Sequence, residues 1–259
     1  MKAASYGRVL LGASAVLFGV IGLIWHDADT WQNLPVLRLP LGAIVPDVLA
    51  IAQIVGGAAV LLPRSARFAS IVLGAVYALF CLACVPGIVA RPTVYVEYGG
   101  FFEWFSLVCG AIAVAVCAAT ESNPKRSASL ARTARLGLGL CAISFALAQA
   151  IYFRLTASLV PVWIPPNQAF WTILTTIAFA LAAAAALTGR YARLALRLMT
   201  LMIACFGVLV WVPLVAAHPQ AHGNWSEFAL NFLIAGAAWA VADGAVTLDS
   251  SVRFMQDKA

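Results

Sequence analysis

The sequence predicts an all-α, polytopic membrane protein of about eight transmembrane helices, set out as two parallel four-helix repeats. Three observations carry that expectation. Of the 259 residues, 63% are hydrophobic and only 10% are charged, with a mean hydropathy of +0.95; a soluble domain carries about 25% charged residues. Eight apolar runs stand at about 8–25, 47–62, 68–89, 101–119, 135–153, 168–187, 193–214 and 226–245, and a bilayer takes roughly 20 residues per helix. Finally, Val85-Pro86-Gly87-Ile88-Val89-Ala90-Arg91-Pro92 returns 127 residues later as Val212-Pro213-Leu214-Val215-Ala216-Ala217-His218-Pro219. A fixed-distance return of this kind is the mark of an internal repeat.

Taken in order, the first run follows Lys2 and Arg8 and has the outline of a signal peptide. Trp25-His26-Asp27 stands where small residues would prepare cleavage, so the run is read as an uncleaved first helix. The second is short for a span, and Leu41 to Ile44 extend it. The third closes on Val85-Pro86, and the fourth opens near Gly99-Gly100-Phe101-Phe102-Glu103. A polar, basic stretch from Thr120 to Ser129 then divides the chain into a first repeat, 1–120, a cytoplasmic linker, 121–134, and a second repeat, 135–259. The fifth run opens on Arg135 as the first opens on Arg8. The turn Arg64-Ser65-Ala66-Arg67 is matched by Arg190-Tyr191-Ala192-Arg193 before the seventh. The eighth follows Gly223-Asn224-Trp225-Ser226-Glu227. Four helices per half make the duplication parallel, with its axis along the membrane normal.

Placing both termini in the cytoplasm puts 13 of the 16 Lys and Arg residues on that side, as retention of basic loops requires. The net charge of +6 is this bias. No basic cluster is interleaved with aromatics, so no nucleic-acid partner is expected. Trp25, Trp31, Trp104, Trp163, Trp171, Trp211 and Trp225 fall toward the outer ends and Trp239 toward the inner. They read either as an interfacial belt or as the lining of an outward pocket for a lipid-like ligand. Gly12, Gly19, Gly22, Gly56 and Gly57 suit close helix packing in lipid, and Gln53 suits an interhelical hydrogen bond.

Few residues are candidates for chemistry. Cys81 and Cys84 form a C-x-x-C on one helix side, read as a redox pair for a quinone or partner thiol, or as two small packing residues. Glu103 and Glu227 stand at matching places near the outer start of the fourth and eighth helices. Ligand or proton handling and stabilisation of the helix N-terminus are the two readings. Arg91 and His218 are matched by the repeat and are candidates to pair with Glu103 and Glu227 or to anchor a ligand. His218 and His222, with His26, Asp27, Asp29, Asp47 and Glu227, have metal-ligand chemistry, but Pro219 breaks the helix that His-x-x-x-His requires, and no metal site is assigned. No P-loop, dinucleotide fingerprint, zincin motif or nucleophile elbow is present. Enzymatic activity is therefore neither assigned nor excluded.

Val160-Pro161-Val162-Trp163-Ile164-Pro165-Pro166, Gly189-Arg190-Tyr191-Ala192-Arg193-Leu194-Ala195 and Val212-Pro213 resemble, in that order, segments of the DoxX-like family of small four-helix bacterial membrane proteins. Leu61-Leu62-Pro63-Arg64-Ser65-Ala66-Arg67 resembles the same basic turn in the first half. That family often carries an acidic residue in its second helix, where Gln53 and Phe179 stand here. The resemblance implies a bacterial cytoplasmic-membrane protein in tandem duplication. It also implies an accessory or scaffold role in a redox or stress-related system, with a membrane or envelope protein partner besides the bilayer. The alternatives are a quinone- or thiol-linked oxidoreductase subunit, for which quinone is the possible cofactor, and a lipid or small-molecule transporter with its site between the repeats.

Overall fold

Helix is the form an apolar chain takes in lipid, because it satisfies its own backbone hydrogen bonds. The structure, a computed structural model, describes residues 5–25, 44–119 and 124–256, with side chains to residue 244, and contains no strand among them. The helices are α1 (Tyr6–Trp25), α2 (Ile44–Leu61), α3 (Ala66–Ala90), α4 (Tyr95–Ala118), α5 (Pro124–Ile151), α6 (Phe153–Leu159), α7 (Gln168–Thr188), α8 (Ala192–Phe206), α9 (Val212–Ala217) and α10 (His222–Gln256). A π-turn, Gly207–Trp211, joins α8 to α9. Among the described residues, eight spans are long and apolar enough to cross a membrane: α1, α2, α3, α4, α5, α7, the continuous Ala192–Ala217 unit, and α10. Large apolar side chains such as Phe68, Leu82 and Leu181 lie exposed on the bundle surface, where only lipid would cover them. The protein is an integral, multi-pass membrane protein.

Helix boundaries depart from the sequence expectation at two starts: α4 opens at Tyr95, six residues before the apolar run, and α5 departs further still. α5 begins at Pro124, so most of the stretch read as a linker is helix. Proline suits a first helical turn, where its missing N–H is not needed, and Lys125 and Arg126 follow on that turn.

The helices form a ring. α1 packs on α2, α2 on α3 and α3 on α4; α5 packs on α7, α7 on α8 and α8 on α10. Between the halves, α1 packs on α10 and α4 on α5, while α4 and α10 meet across the middle. Exchanging the halves maps each of these contacts onto another. The match is incomplete in one respect: α10 also packs along α5, whereas α1 barely touches α4.

Glycine permits the closest approaches. A Cβ placed on Gly110 would lie 2.5 Å from that of Ala237, the residue 127 positions further on. Contact between a residue and its own counterpart is what a pseudo-two-fold axis produces. On one side of that axis a Cβ on Gly137 would meet the Cys109 sulfur at 2.6 Å; on the other, one on Gly236 would meet the Leu11 backbone nitrogen at 2.5 Å and also Leu10. Leu10 and Gly137 are counterparts, as are Cys109 and Gly236. With no hydrophobic drive between helices in lipid, such contact supplies the packing energy.

The repeat spacing is 126 at the basic turns (Arg64 and Arg190) and 127 at Val-Pro. The second half therefore has one residue more, and the π-turn lies between these points. A π-turn closes i→i+5 and so takes one residue more than the α-helical turn it replaces.

Candidate functional site

The repeated Val-Pro segments fold alike. Arg91 and His218 close their helices with φ/ψ of −134/62 and −134/66. Their N–H groups donate to Gly87 O at 2.9 Å and Leu214 O at 3.0 Å. The next turns repeat too: Val94 N–H donates to Arg91 O, as Ala221 N–H does to His218 O, both at 3.0 Å. Beyond the proline, Tyr98 Oη donates to Pro92 O at 3.1 Å and Trp225 Nε1 to Pro219 O at 3.0 Å. Pro86 lies within α3 and Pro213 near the start of α9 rather than ending those helices.

This register reassigns the acidic residues. Arg91 forms its ion pair with Glu97 in the first turn of α4. The place of Glu97 is taken in the second half by Asn224, whose Nδ2 donates to Leu214 O at 3.2 Å. Glu103 lies eight residues beyond the start of α4 and is half-buried, outside the turn where the helix dipole acts. Glu227 is also half-buried, but at spacing 127 it matches Gly100, while Glu103 matches Leu230. The two glutamates are therefore one turn out of register. His218 is exposed, and His222 opens α10 and stacks on Trp25 at 4.8 Å. The two histidines thus sit on opposite sides of a turn. Among the described residues no group of three metal-ligating side chains forms; His26, Asp27 and Asp29, like Trp31, lie outside them.

Cys81 and Cys84 both carry free thiols. Cys81 is buried, its thiol donating to Phe101 O at 3.8 Å, and lies close to Cys84 and Cys109. Cys109 in turn lies close to Cys141 across the α4–α5 contact. Cys84 stands beside Glu97 and Glu103. Cations and helix N-termini favour a thiolate; the carboxylates beside Cys84 are neither.

The interior of the first half holds three polar side chains with unpaired atoms. Gln53 is fully buried and neither its oxygen nor its nitrogen has a hydrogen-bond partner, so the expected interhelical bond is not made. Tyr77 Oη and Trp104 Nε1 are buried and unpaired as well. Trp104 is not an interfacial residue: it is fully buried, with its ring 4.8 Å from Phe80, 5.7 Å from Phe18 and 6.4 Å from Tyr77. The belt rule fails for it because α4 starts at Tyr95, which carries Trp104 more than two turns into the helix.

The second half holds a cavity. About 560 Å³ of space lies between the end of α5, α6, the start of α7 and the α8–π-turn unit, within the range of small-molecule sites. Leu209, Val210 and Trp211 of the π-turn form one wall, and Trp171 stands among the lining residues. Leu198 and Leu201 at its edge are exposed on the bundle surface, so the cavity opens sideways toward lipid. Polar groups are few: Gln149, whose Oε1 accepts from Thr175 Oγ1 at 3.1 Å and Thr176 Oγ1 at 3.0 Å, and the hydroxyls of Thr172 and Thr156. Its lining includes neither Glu103 nor Glu227, and it sits within one half rather than between the two. The sequence signal for it is Gln149 with Thr172, Thr175 and Thr176, polar residues at helical spacing in otherwise apolar runs, and sequence reasoning missed it.

These features define a multi-pass α-helical membrane protein with a lateral apolar cavity near one end of the bundle. The chain matches no family model, no curated protein and no solved structure.

Proposed function

We propose that the protein holds a lipid-like small molecule, a lipid or a quinone, in the second-half cavity. In this reading it serves as an accessory component of a redox or stress-related system in the bacterial cytoplasmic membrane. The cavity carries the proposal: it is apolar, it opens toward the bilayer, and Gln149 and the threonines give it a few polar groups at fixed places. The resemblance of the basic turns and Val-Pro segments to DoxX-like proteins supports the envelope setting. The matched neighbours of the two halves support tandem duplication. Cys81 and Cys84 are given no catalytic step, because their surroundings do not activate a thiol.

Purification in mild detergent, with identification of bound lipids, quinones and proteins, tests this reading. Wild type should carry one class of molecule enriched over the bulk membrane extract, and Leu201→Trp, which projects an indole into the cavity mouth, should lose it. A wild-type protein with no enriched molecule would sink the proposal. Orientation is tested separately: a cysteine placed in the 120–134 segment should resist labelling from outside intact cells.

A further inference from the structure

At the basic end of the second half, the groove between α8, α10 and α1 is plugged by the protein itself. Arg197 pairs with Asp243 at 3.3 Å, and Ser5 Oγ donates to the other carboxylate oxygen at 2.5 Å. The Arg197 guanidinium lies 5.4 Å over the Trp239 ring. By the repeat spacing, the counterparts of Arg197, Asp243 and Trp239 are Ile71, Val116 and Ile112. No such plug can form from three aliphatic side chains. In its place the first half has an open groove of about 410 Å³ between α3, α4 and α5, with Ile71, Ile112 and Val116 on its walls and Arg67 and Arg126 on its rim. Both arginines are exposed, and among the described residues the lining includes no acidic side chain.

We infer that this groove binds an anionic phospholipid. One acyl chain lies along Ile71, Ile112 and Val116, and the phosphate sits between the Arg67 and Arg126 guanidiniums. Guanidinium forks match phosphate oxygens, and basic pockets between helices at the cytoplasmic surface are suited to anionic headgroups. The apolar wall is what distinguishes a lipid from a free anion. Arg67 belongs to the first half and Arg126 to the second, so an occupant ties the halves together. This inference is independent of the cavity reading: both sites use α5, but the cavity lies at its far end, against α6, α7 and α8.

Thermal unfolding of the purified full-length protein in detergent tests it, because a ligand that binds only the folded state raises Tm. Phosphatidylglycerol should raise Tm, whereas phosphatidylcholine with the same chains and inorganic phosphate at equal concentration should not. The Arg67→Gln, Arg126→Gln double variant should need on the order of tenfold more phosphatidylglycerol for the same shift. An Arg64→Gln, Lys125→Gln variant, which removes equal charge nearby, should respond as wild type does. Ile112→Trp, which copies the plug of the second half, should abolish the response with both arginines in place. The inference is overturned by an equal shift with phosphatidylcholine or phosphate, by a full response in the double arginine variant, or by an equal loss in the charge-matched control.

Discussion

Inside the first half, Gln53, Tyr77 and Trp104 are buried with polar atoms unpaired. At the matching places of the second half stand Phe179, Ile203 and Asn231. The single polar residue among them, Asn231, donates through Nδ2 to Ile203 O at 2.8 Å, just before the π-turn. The aromatic packing persists across the change: Phe18 and Phe80 surround Trp104, and their counterparts Phe145 and Phe206 each meet Phe179. At the basic end the contrast reverses, with polar residues filling the second half and aliphatic ones the first. Close-packed backbone contacts thus fix the frame of both halves, while the positions between them are free to exchange polarity. A pair of unlike halves is what a lateral cavity on one side and a basic groove on the other require.

The largest effect that could break this comparison lies at the axis-flanking contacts. Gly236→Leu drives a side chain into the α1 backbone, and it should exceed the usual overpacking cost of about 1–3 kcal/mol and leave little folded protein by size-exclusion chromatography. Gly137→Ala at the related contact meets the Cys109 sulfur at 2.6 Å and the Phe105 ring at 3.2 Å, side chains that can shift where backbone cannot, and should cost about 1–2 kcal/mol. Equal tolerance of both would show that these contacts do not hold the halves together.

Opposite signs are expected one step down. Asn231→Leu removes a satisfied bond and should destabilise by about 1–3 kcal/mol, whereas Gln53→Leu removes two unpaired polar atoms and should stabilise by about 1–2 kcal/mol. Thermal unfolding in one detergent compares them directly, and a shared sign would break the contrast between the two interiors. The smallest effect belongs to the paired turns. The Arg91 side chain is 64% exposed, so Arg91→Gln should change stability by less than about 1 kcal/mol, and His218→Gln by less still. A larger loss at Arg91 would show that its pair with Glu97 holds the turn, and would set the two copies apart.

Local features were legible in the sequence. Spans depend on short stretches of chain and stand where composition puts them; the two Val-Pro segments repeat as their spacing says, but their prolines lie inside helix instead of ending it. Depth was not legible: the Trp104 ring reads as interfacial until the start of α4 is known, and nothing in Gln53 says that its amide goes unpaired. Glu103 and Glu227 were set opposite one another by residue type. Holding the spacing at 127 would have set Glu97 opposite Asn224 and exposed the Arg91 partner. The cavity escaped because its walls come from four separate helical segments, a grouping that only tertiary packing creates.

An extra residue in a regular helix swings everything beyond it by about 100°, which here would have carried Trp225, Asn231 and Ala237 off their partners. The wide turn at Gly207–Trp211 absorbs that rotation, and all three keep the facing of their counterparts. The lengthening falls in the turn Gly207–Trp211, and Leu209, Val210 and Trp211 of that turn are wall residues of the cavity. The one-residue difference between the halves thus falls in a turn that forms part of a concave surface, with the matching contacts kept on either side of it.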